Sequence, residues 1–280
     1  MECCRLNPPE VRFCRTCGRL LHSQGTLRNP EKGWEYEVID VLVQGGMSTT
    51  YRVYNPQVHR LAVLKEINAD LSRKAKAREL FMREAQTLQA LQHPGIPKFY
   101  DFFCTDEHYS LVMELIHGPT LEEIKPVDVA QAVGWILETC EVLSYLHERG
   151  VIHRDIKPAN LILRHNPRRI VLIDFGAVKE VGSAPGTRIA TPGYGAPEQN
   201  QGRPCLQSDF YGIGTTLVYL LTRQSPTHFY NPRAQRLIGL EEAGLPPALV
   251  SVILSATALD PQQRPQNCTD LMAALRPFAA

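Results

Sequence analysis

His153-Arg154-Asp155-Ile156-Lys157-Pro158-Ala159-Asn160, followed after two short apolar runs by Asp174-Phe175-Gly176, is the stretch of this 280-residue chain from which its fold can be read. Asp155 supplies a carboxylate that can accept a proton, and Lys157 places a cation two residues on. Asn160 and Asp174 are hard oxygen donors of the kind a small divalent cation takes. Either motif alone is weak, because an Asp-containing turn arises by chance. The two in this order are a far stronger signal.

Upstream, Ala62-Val63-Leu64-Lys65 ends an apolar run that reads as a strand, as do Tyr36–Ile39 and Tyr109–Met113. A helix is predicted over Ser72–Leu91, with Leu80, Glu84, Leu88 and Leu91 near one face and His93-Pro94-Gly95 as its stop. After Gly118 the pattern turns helical, with amphipathic segments at Val127–Arg149, Ser208–Thr222 and Ala248–Leu259. Thr191-Pro192-Gly193-Tyr194-Gly195-Ala196-Pro197-Glu198 lies between the catalytic-type motifs and Asp209, and Arg264 follows in Asp260-Pro261-Gln262-Gln263-Arg264-Pro265. Taken singly, Lys65 is a solvated strand-end charge and Asp209 an exposed helix cap. Their order argues otherwise.

Together these segments resemble the eukaryotic-like serine/threonine protein kinases of the bacterial, cyanobacterial style. The resemblance covers nearly the whole chain. It implies an α+β, bilobal fold: a strand-rich N-lobe of about residues 34–113 with one main helix, a hinge, and a helical C-lobe of about 117–280. It implies that Asp155 orients or accepts the proton of a protein Ser/Thr hydroxyl, that Asn160 and Asp174 hold Mg²⁺, and that Lys157 sits by the transferring phosphate of ATP. Lys157 in that place points to Ser/Thr acceptors. Lys65 and Glu84 match the pair that orients the α- and β-phosphates, Glu198 and Arg264 a structural ion pair, and Asp209 the anchor of the catalytic-loop backbone. Leu88, Phe99, His153 and Phe175 match the stack of an active kinase, although any core could hold them. The charge of Arg154 calls for an anion, which a phosphate on the activation segment could supply. Of Ser183, Thr187 and Thr191, Thr187 is the expected phosphosite, and Thr191 is expected to bond Asp155 and Lys157.

The nucleotide-binding part departs from the pattern. Leu42-Val43-Gln44-Gly45-Gly46-Met47-Ser48-Thr49-Thr50-Tyr51 stands where the family carries G-x-G-x-x-G, with glycine due at positions 43, 45 and 48, and only Gly45 fits. Val43 has a Cβ that disfavours φ > 0, whereas Ser48 can offer a backbone N–H or its hydroxyl to phosphate. Gly46 and Thr50 complete the candidate contacts, and a raised KM for ATP is expected. An ordinary hairpin turn also explains a Gly-Gly pair between strands. The adenine pocket implied by the resemblance comprises Leu42, Ala62, Met113 as gatekeeper, the hinge Glu114-Leu115-Ile116, and Ile162 as its floor.

Thirty Lys+Arg against 29 Asp+Glu give a formal charge of +1, so no global field draws nucleic acid or an anionic membrane. No apolar run approaches the roughly 18–20 residues that span a bilayer. A soluble, cytoplasmic protein is expected, acting on protein substrates, with its oligomeric state open. At this length no separate sensor domain is expected.

Of the eight cysteines, Cys104, Cys140, Cys205 and Cys268 fall in apolar segments and are expected to be inert core thiols. Cys3, Cys4, Cys14 and Cys17 lie in a prefix of residues 1–33, with the domain boundary placed at Trp34. Cys14-Arg15-Thr16-Cys17-Gly18 is a C-x-x-C knuckle, and the prefix resembles a small zinc ribbon, which implies structural Zn²⁺. Adjacent Cys3 and Cys4 leave open a three-cysteine site, a fourth ligand supplied by a partner, completion by His22, redox or disulfide chemistry, or unliganded thiols. Two other functions stay in view: a pseudokinase or scaffold that binds nucleotide weakly, suggested by Val43 and Ser48, and an adaptor built on the cysteine prefix. Retention of Lys65, Asp155, Asn160 and Asp174 favours the enzyme.

Overall fold

The computed structural model describes residues 25–105, 108–180 and 191–279. Cys3, Cys4, Cys14, Cys17, His22, Ser183 and Thr187 lie outside the described residues. The described residues form two units, one of those up to Gln92 with those of 97–115, the other of His93–Ile96 with those from Ile116 onward.

The first unit is an antiparallel sheet of β1 (Thr26–Arg28), β2 (Glu35–Gln44), β3 (Ser48–Asn55), β4 (Arg60–Ile67), β5 (Phe99–Thr105) and β6 (His108–Glu114), in the order β1-β2-β3-β4-β6-β5. Side chains of a strand alternate between faces, and here one set meets in a core: Tyr36, Tyr51, Val53, Ala62, Leu64, Phe103 and Val112. Tyr36 and Phe103 stack with centroids 5.7 Å apart.

The sheet takes in residues on the prefix side of Trp34. Leu27 of β1 is only 3% exposed in that core. Beyond it, Asn29 Nδ2, Lys32 Nζ and the Tyr36 hydroxyl donate to the Asp101 carboxylate at 2.8, 2.7 and 2.8 Å. Asp101 is fully buried, and a buried carboxylate is tolerated only with such donors. Burial and the neighbouring Asp101 push the Tyr36 hydroxyl pKa upward. The segment before β2 is thereby tied to β5.

The helix expected from Ser72 to Leu91 is split in two. A single turn, α1 (Ala69–Ser72), precedes α2 (Ala75–Ala90), because Lys74 between them has extended backbone. On α2, Ala77, Phe81 and Ala85 recur every four residues on a buried stripe that also takes in Glu84 and Leu88.

The second unit is mainly helical: α3 (Val129–His147), α4 (Pro197–Asn200), α5 (Gln207–Thr222), α6 (Pro226–Phe229), α7 (Pro247–Ala256) and α8 (Cys268–Leu275). Asp128 caps α3 by accepting the Gln131 N–H at 2.8 Å. Along α5 the buried residues run almost all round the helix, as befits an interior helix. Gly212 on it is fixed by packing: a Cβ there would lie 2.8 Å from Ile156 Cβ and 2.9 Å from the Ile156 carbonyl oxygen. Only glycine lets α5 come this close to the segment that follows Asp155.

Cys140 and Cys268 are buried, and burial pushes their thiols up, Cys268 to about 12. Cys205 is half-buried, while Cys104 is exposed on β5 and so departs from the core position expected for it. Its neighbour Phe103 takes the inward face, and alternation turns Cys104 outward. Among the described residues no helix is long and apolar enough to cross a membrane.

Candidate active site

In the second unit, β7 (Val151–Ile152) leads into the loop at His153–Lys157 and a 3₁₀ turn, Pro158–Asn160. A hairpin of β8 (Leu161–Arg164) and β9 (Arg169–Leu172) then returns the chain, and the Ile173 N–H donates to the Asn160 carbonyl at 2.9 Å. That fold-back brings Asp174, remote in sequence, next to Asn160. The chain then pairs with β7 through β10 (Lys179–Glu180).

The Asp155 carboxylate accepts from three side chains. Its Oδ2 accepts from Lys157 Nζ and Asn160 Nδ2, both at 2.8 Å, and its Oδ1 accepts from the Thr191 hydroxyl at 2.6 Å. Lys157 Nζ also reaches Thr191 Oγ1 at 3.0 Å, so Thr191 joins both residues as the sequence led one to expect. Asn160 spends its amide nitrogen on Asp155, including the Asp155 carbonyl at 2.9 Å, which leaves Oδ1 as the atom suited to a cation. Asp174 has φ 64, in the left-handed region that a non-glycine residue enters only at a cost.

Arg154, at φ 72, is also left-handed, and both sides of its backbone are held by buried side chains. Its N–H donates to Asp209 Oδ1 at 2.7 Å, and its carbonyl accepts from Gln199 Nε2 at 2.7 Å. Asp209 Oδ2 takes the His153 N–H at 3.0 Å and bonds His147 Nε2 at 2.8 Å. Burial alone would raise the Asp209 carboxyl, but these donors and His147 outweigh it and hold it below the usual range. Asp209 is therefore an interior anchor and no exposed cap. Burial pushes the His153 imidazole pKa down, and its ring meets Phe175 edge-on at 5.2 Å. Glu198 and Arg264 form a bidentate pair, Nη1–Oε1 at 2.7 Å and Nη2–Oε2 at 3.0 Å, with the Ser208 hydroxyl donating to Oε1 at 2.6 Å.

In the first unit, Lys65 Nζ lies 2.7 Å from Glu84 Oε1, and both side chains are largely buried. Lys65 stands opposite Thr50, and Thr50 opposite Val43, so the three share one sheet face. Ala62 does not belong with them. It is an odd number of residues from Lys65, so the two-residue period turns it into the core on the other face, and Val63, opposite Met113, takes the place by Lys65. Leu42 sits at an irregularity in the β2–β3 register and is exposed. Ser48 opens β3 opposite Ile67, and Glu114 ends β6 opposite Ala62. Ile116 and Ile162 belong to the second unit, where Ile162 pairs with Val171 in β8–β9.

The turn Gly45–Met47 between β2 and β3 contains no left-handed residue, nor do Val43 and Ser48 adopt positive φ. Val43 pairs with Thr50 just past the register irregularity at Leu42 and has no positive φ, so its Cβ meets no left-handed strain, and the ground for expecting a raised KM on its account falls away. β2 and β3 pair antiparallel across this three-residue turn, so it closes a hairpin as well, without the φ > 0 residues of the favoured two-residue forms.

Gln199 is a residue that sequence reasoning missed. It is 1% exposed, and its Oε1 also accepts the Ala196 N–H at 3.0 Å. No periodic signal marks such a side chain, since its partner lies far away in sequence.

Both constellations are those of the protein kinase class. The sequence model for the protein kinase domain matches residues 36–275, and the chain belongs to that family. It is similar to serine/threonine-protein kinase D of Synechocystis sp., 34% identical over 259 residues that make up 86% of this chain and 51% of that protein. It is likewise similar to serine/threonine-protein kinase PknB of Mycobacterium tuberculosis, 31% identical over 267 residues, 86% of this chain and 42% of that one. The chain thus spans about half the length of the curated relatives it matches. Among solved structures, the Mycobacterium tuberculosis PknI kinase domain aligns with a TM-score of 0.72 over 92% of this chain and 100% of that one, at 24% identity, a likeness of fold.

Proposed function

We propose that this chain is a serine/threonine protein kinase domain that moves the γ-phosphoryl group of Mg-ATP to protein hydroxyls. The observation that carries the reading is the Asp155 carboxylate held between Lys157, Asn160 and Thr191. In this reading Asp155 orients the acceptor hydroxyl and takes its proton, and Lys157 offsets charge on the phosphoryl group in transfer. The similarity to named serine/threonine-protein kinases supports Ser/Thr acceptors.

An amide oxygen at Asn160 and a carboxylate at Asp174 fit Mg²⁺, which takes oxygen ligands and keeps several waters. Bound there, the ion would neutralise phosphate charge. Lys65, fixed by Glu84, is assigned to the nucleotide phosphates, with Gly45, Gly46, Ser48 and Thr50 in the turn and strand nearby. The kinase domain so defined begins at β1, which leaves the prefix as the residues before it.

Incubation with labelled Mg-ATP and a protein acceptor is expected to place acid-stable phosphate on serine and threonine. Lys65→Met should lower that incorporation by about 100-fold, since it leaves Glu84 buried without its cation and the phosphates without theirs. No incorporation by wild type, or phosphate on tyrosine alone, would overturn the reading. A weakly binding pseudokinase is disfavoured by the presence of Lys65, Glu84, Asp155, Asn160 and Asp174 together.

For the prefix, the spacing of Cys14 and Cys17 supports one structural Zn²⁺ completed from Cys3, Cys4 or His22. Elemental analysis should then find about one zinc per chain, lost in a Cys14→Ser, Cys17→Ser variant. Full-length protein purified without chelator and free of zinc would remove the proposal.

A further inference from the structure

We infer that Asn68, the first residue past β4, is the positioning residue that shapes the Gly45–Met47 turn into an anion-binding cradle. The inference rests on the kinase reading and adds a residue to it.

The turn does little to hold itself. Its own backbone supplies one hydrogen bond, from the Gly45 N–H to the Ser48 carbonyl at 3.0 Å. Three successive carbonyls are instead collected by Asn68. Its Nδ2 donates to the oxygens of Gly45 at 2.9 Å and Gly46 at 3.1 Å, and its backbone N–H donates to Met47 at 3.0 Å. The amide's orientation is fixed as well, because the Thr49 hydroxyl donates to Asn68 Oδ1 at 3.0 Å and leaves Nδ2 for the carbonyls.

With the carbonyls drawn to one side, the N–H groups of Gly46 and Met47 donate to nothing among the described residues. Successive unpaired backbone N–H groups in a turn form a cradle for an anion. Glycine at position 46 fits this use. Neither left-handed φ nor packing requires it, since a Cβ there would meet nothing within 4 Å, whereas close approach of a ligand to bare backbone would. Asn68 lies on the strand exit just beyond Lys65, and its own carbonyl accepts the Leu71 and Ser72 N–H groups, both at 2.9 Å, that start α1. One side chain thus registers the turn against the strand that carries Lys65.

The test is calorimetric binding of a non-hydrolysable ATP analogue with Mg²⁺, and of adenosine, to the full chain and to Asn68→Ala and Asn68→Asp. Loss of two hydrogen bonds that order the turn is expected to weaken analogue binding about tenfold in Asn68→Ala. Asn68→Asp should weaken it at least as much: it keeps the acceptor for Thr49 but turns a carboxylate on the Gly45 and Gly46 oxygens. Adenosine, which has no phosphates, should bind all three alike, and KM for ATP should rise in proportion to the loss of analogue affinity. Unchanged analogue affinity in both variants, or an equal loss for adenosine, overturns the inference. Wild type that binds neither compound instead overturns the kinase reading beneath it.

Discussion

Asp155→Asn is expected to reduce phosphate transfer about 10²–10⁴-fold while leaving the fold intact. The hydrogen bonds around Asp155 explain both halves of that statement. Oδ2 faces two donors that cannot accept, the Lys157 ammonium and the Asn160 amide nitrogen, whereas Oδ1 faces the Thr191 hydroxyl, which can do either. An asparagine can therefore keep its oxygen toward Lys157 and Asn160 and turn its NH₂ toward Thr191, which then accepts. Lys157, Asn160 and Thr191 thus each keep a hydrogen bond to the side chain at this position. What disappears is the carboxylate, and with it the capacity to take the acceptor's proton. Labelled-phosphate incorporation at saturating Mg-ATP measures the loss, with thermal unfolding alongside. Equal incorporation by variant and wild type would refute the assignment of Asp155, and a large fall in melting temperature would show that the loss came from the fold.

How much of this was legible in the sequence depended on how far each residue's partner lay along the chain and what trace it left. Asp155, Lys157 and Asn160 are neighbours in one loop, and Asp174 follows one hairpin later, so their spacing exposes them. Lys65 and Glu84 were legible through the family resemblance, once a strand followed by a helix had placed them. Ala62 was misassigned because a resemblance fixes a position only to within a residue or so, and in a strand one residue decides the face. Its neighbour Val63 is the one beside Lys65's row. Asn68 and Gln199 were invisible for a different reason. Each acts through its side-chain amide on backbone carbonyls, and a carbonyl is the same at every residue, so no pattern of residue types records the contact. The tie from Asn29, Lys32 and Tyr36 to Asp101 was hidden likewise, because one acid so far along the chain looks like any surface charge until β5 places it.

Arg264→Ala is expected to cost the second unit about 3–5 kcal/mol at neutral pH, because it leaves a buried carboxylate without its partner. The side chain of Arg264 is fully buried, and besides Glu198 it serves the carbonyls of Ala258 at 2.8 Å, Gln207 at 3.0 Å and Leu259 at 3.3 Å. Lysine has neither the planar fork nor enough donors for this set, so Arg264→Lys should recover little. The cost should also depend on pH, with a definite sign. In wild type, burial alone would raise the Glu198 carboxyl, but the bonds from Arg264 and Ser208 outweigh it and hold it below the usual range. Its stabilisation is therefore present above the unfolded-state pKa and is lost as pH falls through the lower folded value. In Arg264→Ala the burial remains and the cation is gone, so the carboxyl moves the other way, and protonation relieves it as pH falls. The two curves converge in acid. Urea unfolding at about pH 7.5 and about pH 5 should thus give a difference between wild type and variant that shrinks at the lower pH. Glu198→Gln, which removes the charge beforehand, should make the cost of losing Arg264 smaller and nearly independent of pH. A penalty for Arg264→Ala that is the same at both pH values, or below about 1 kcal/mol, would mean that the pair is solvated and does not fasten the end of the activation segment to the helical unit.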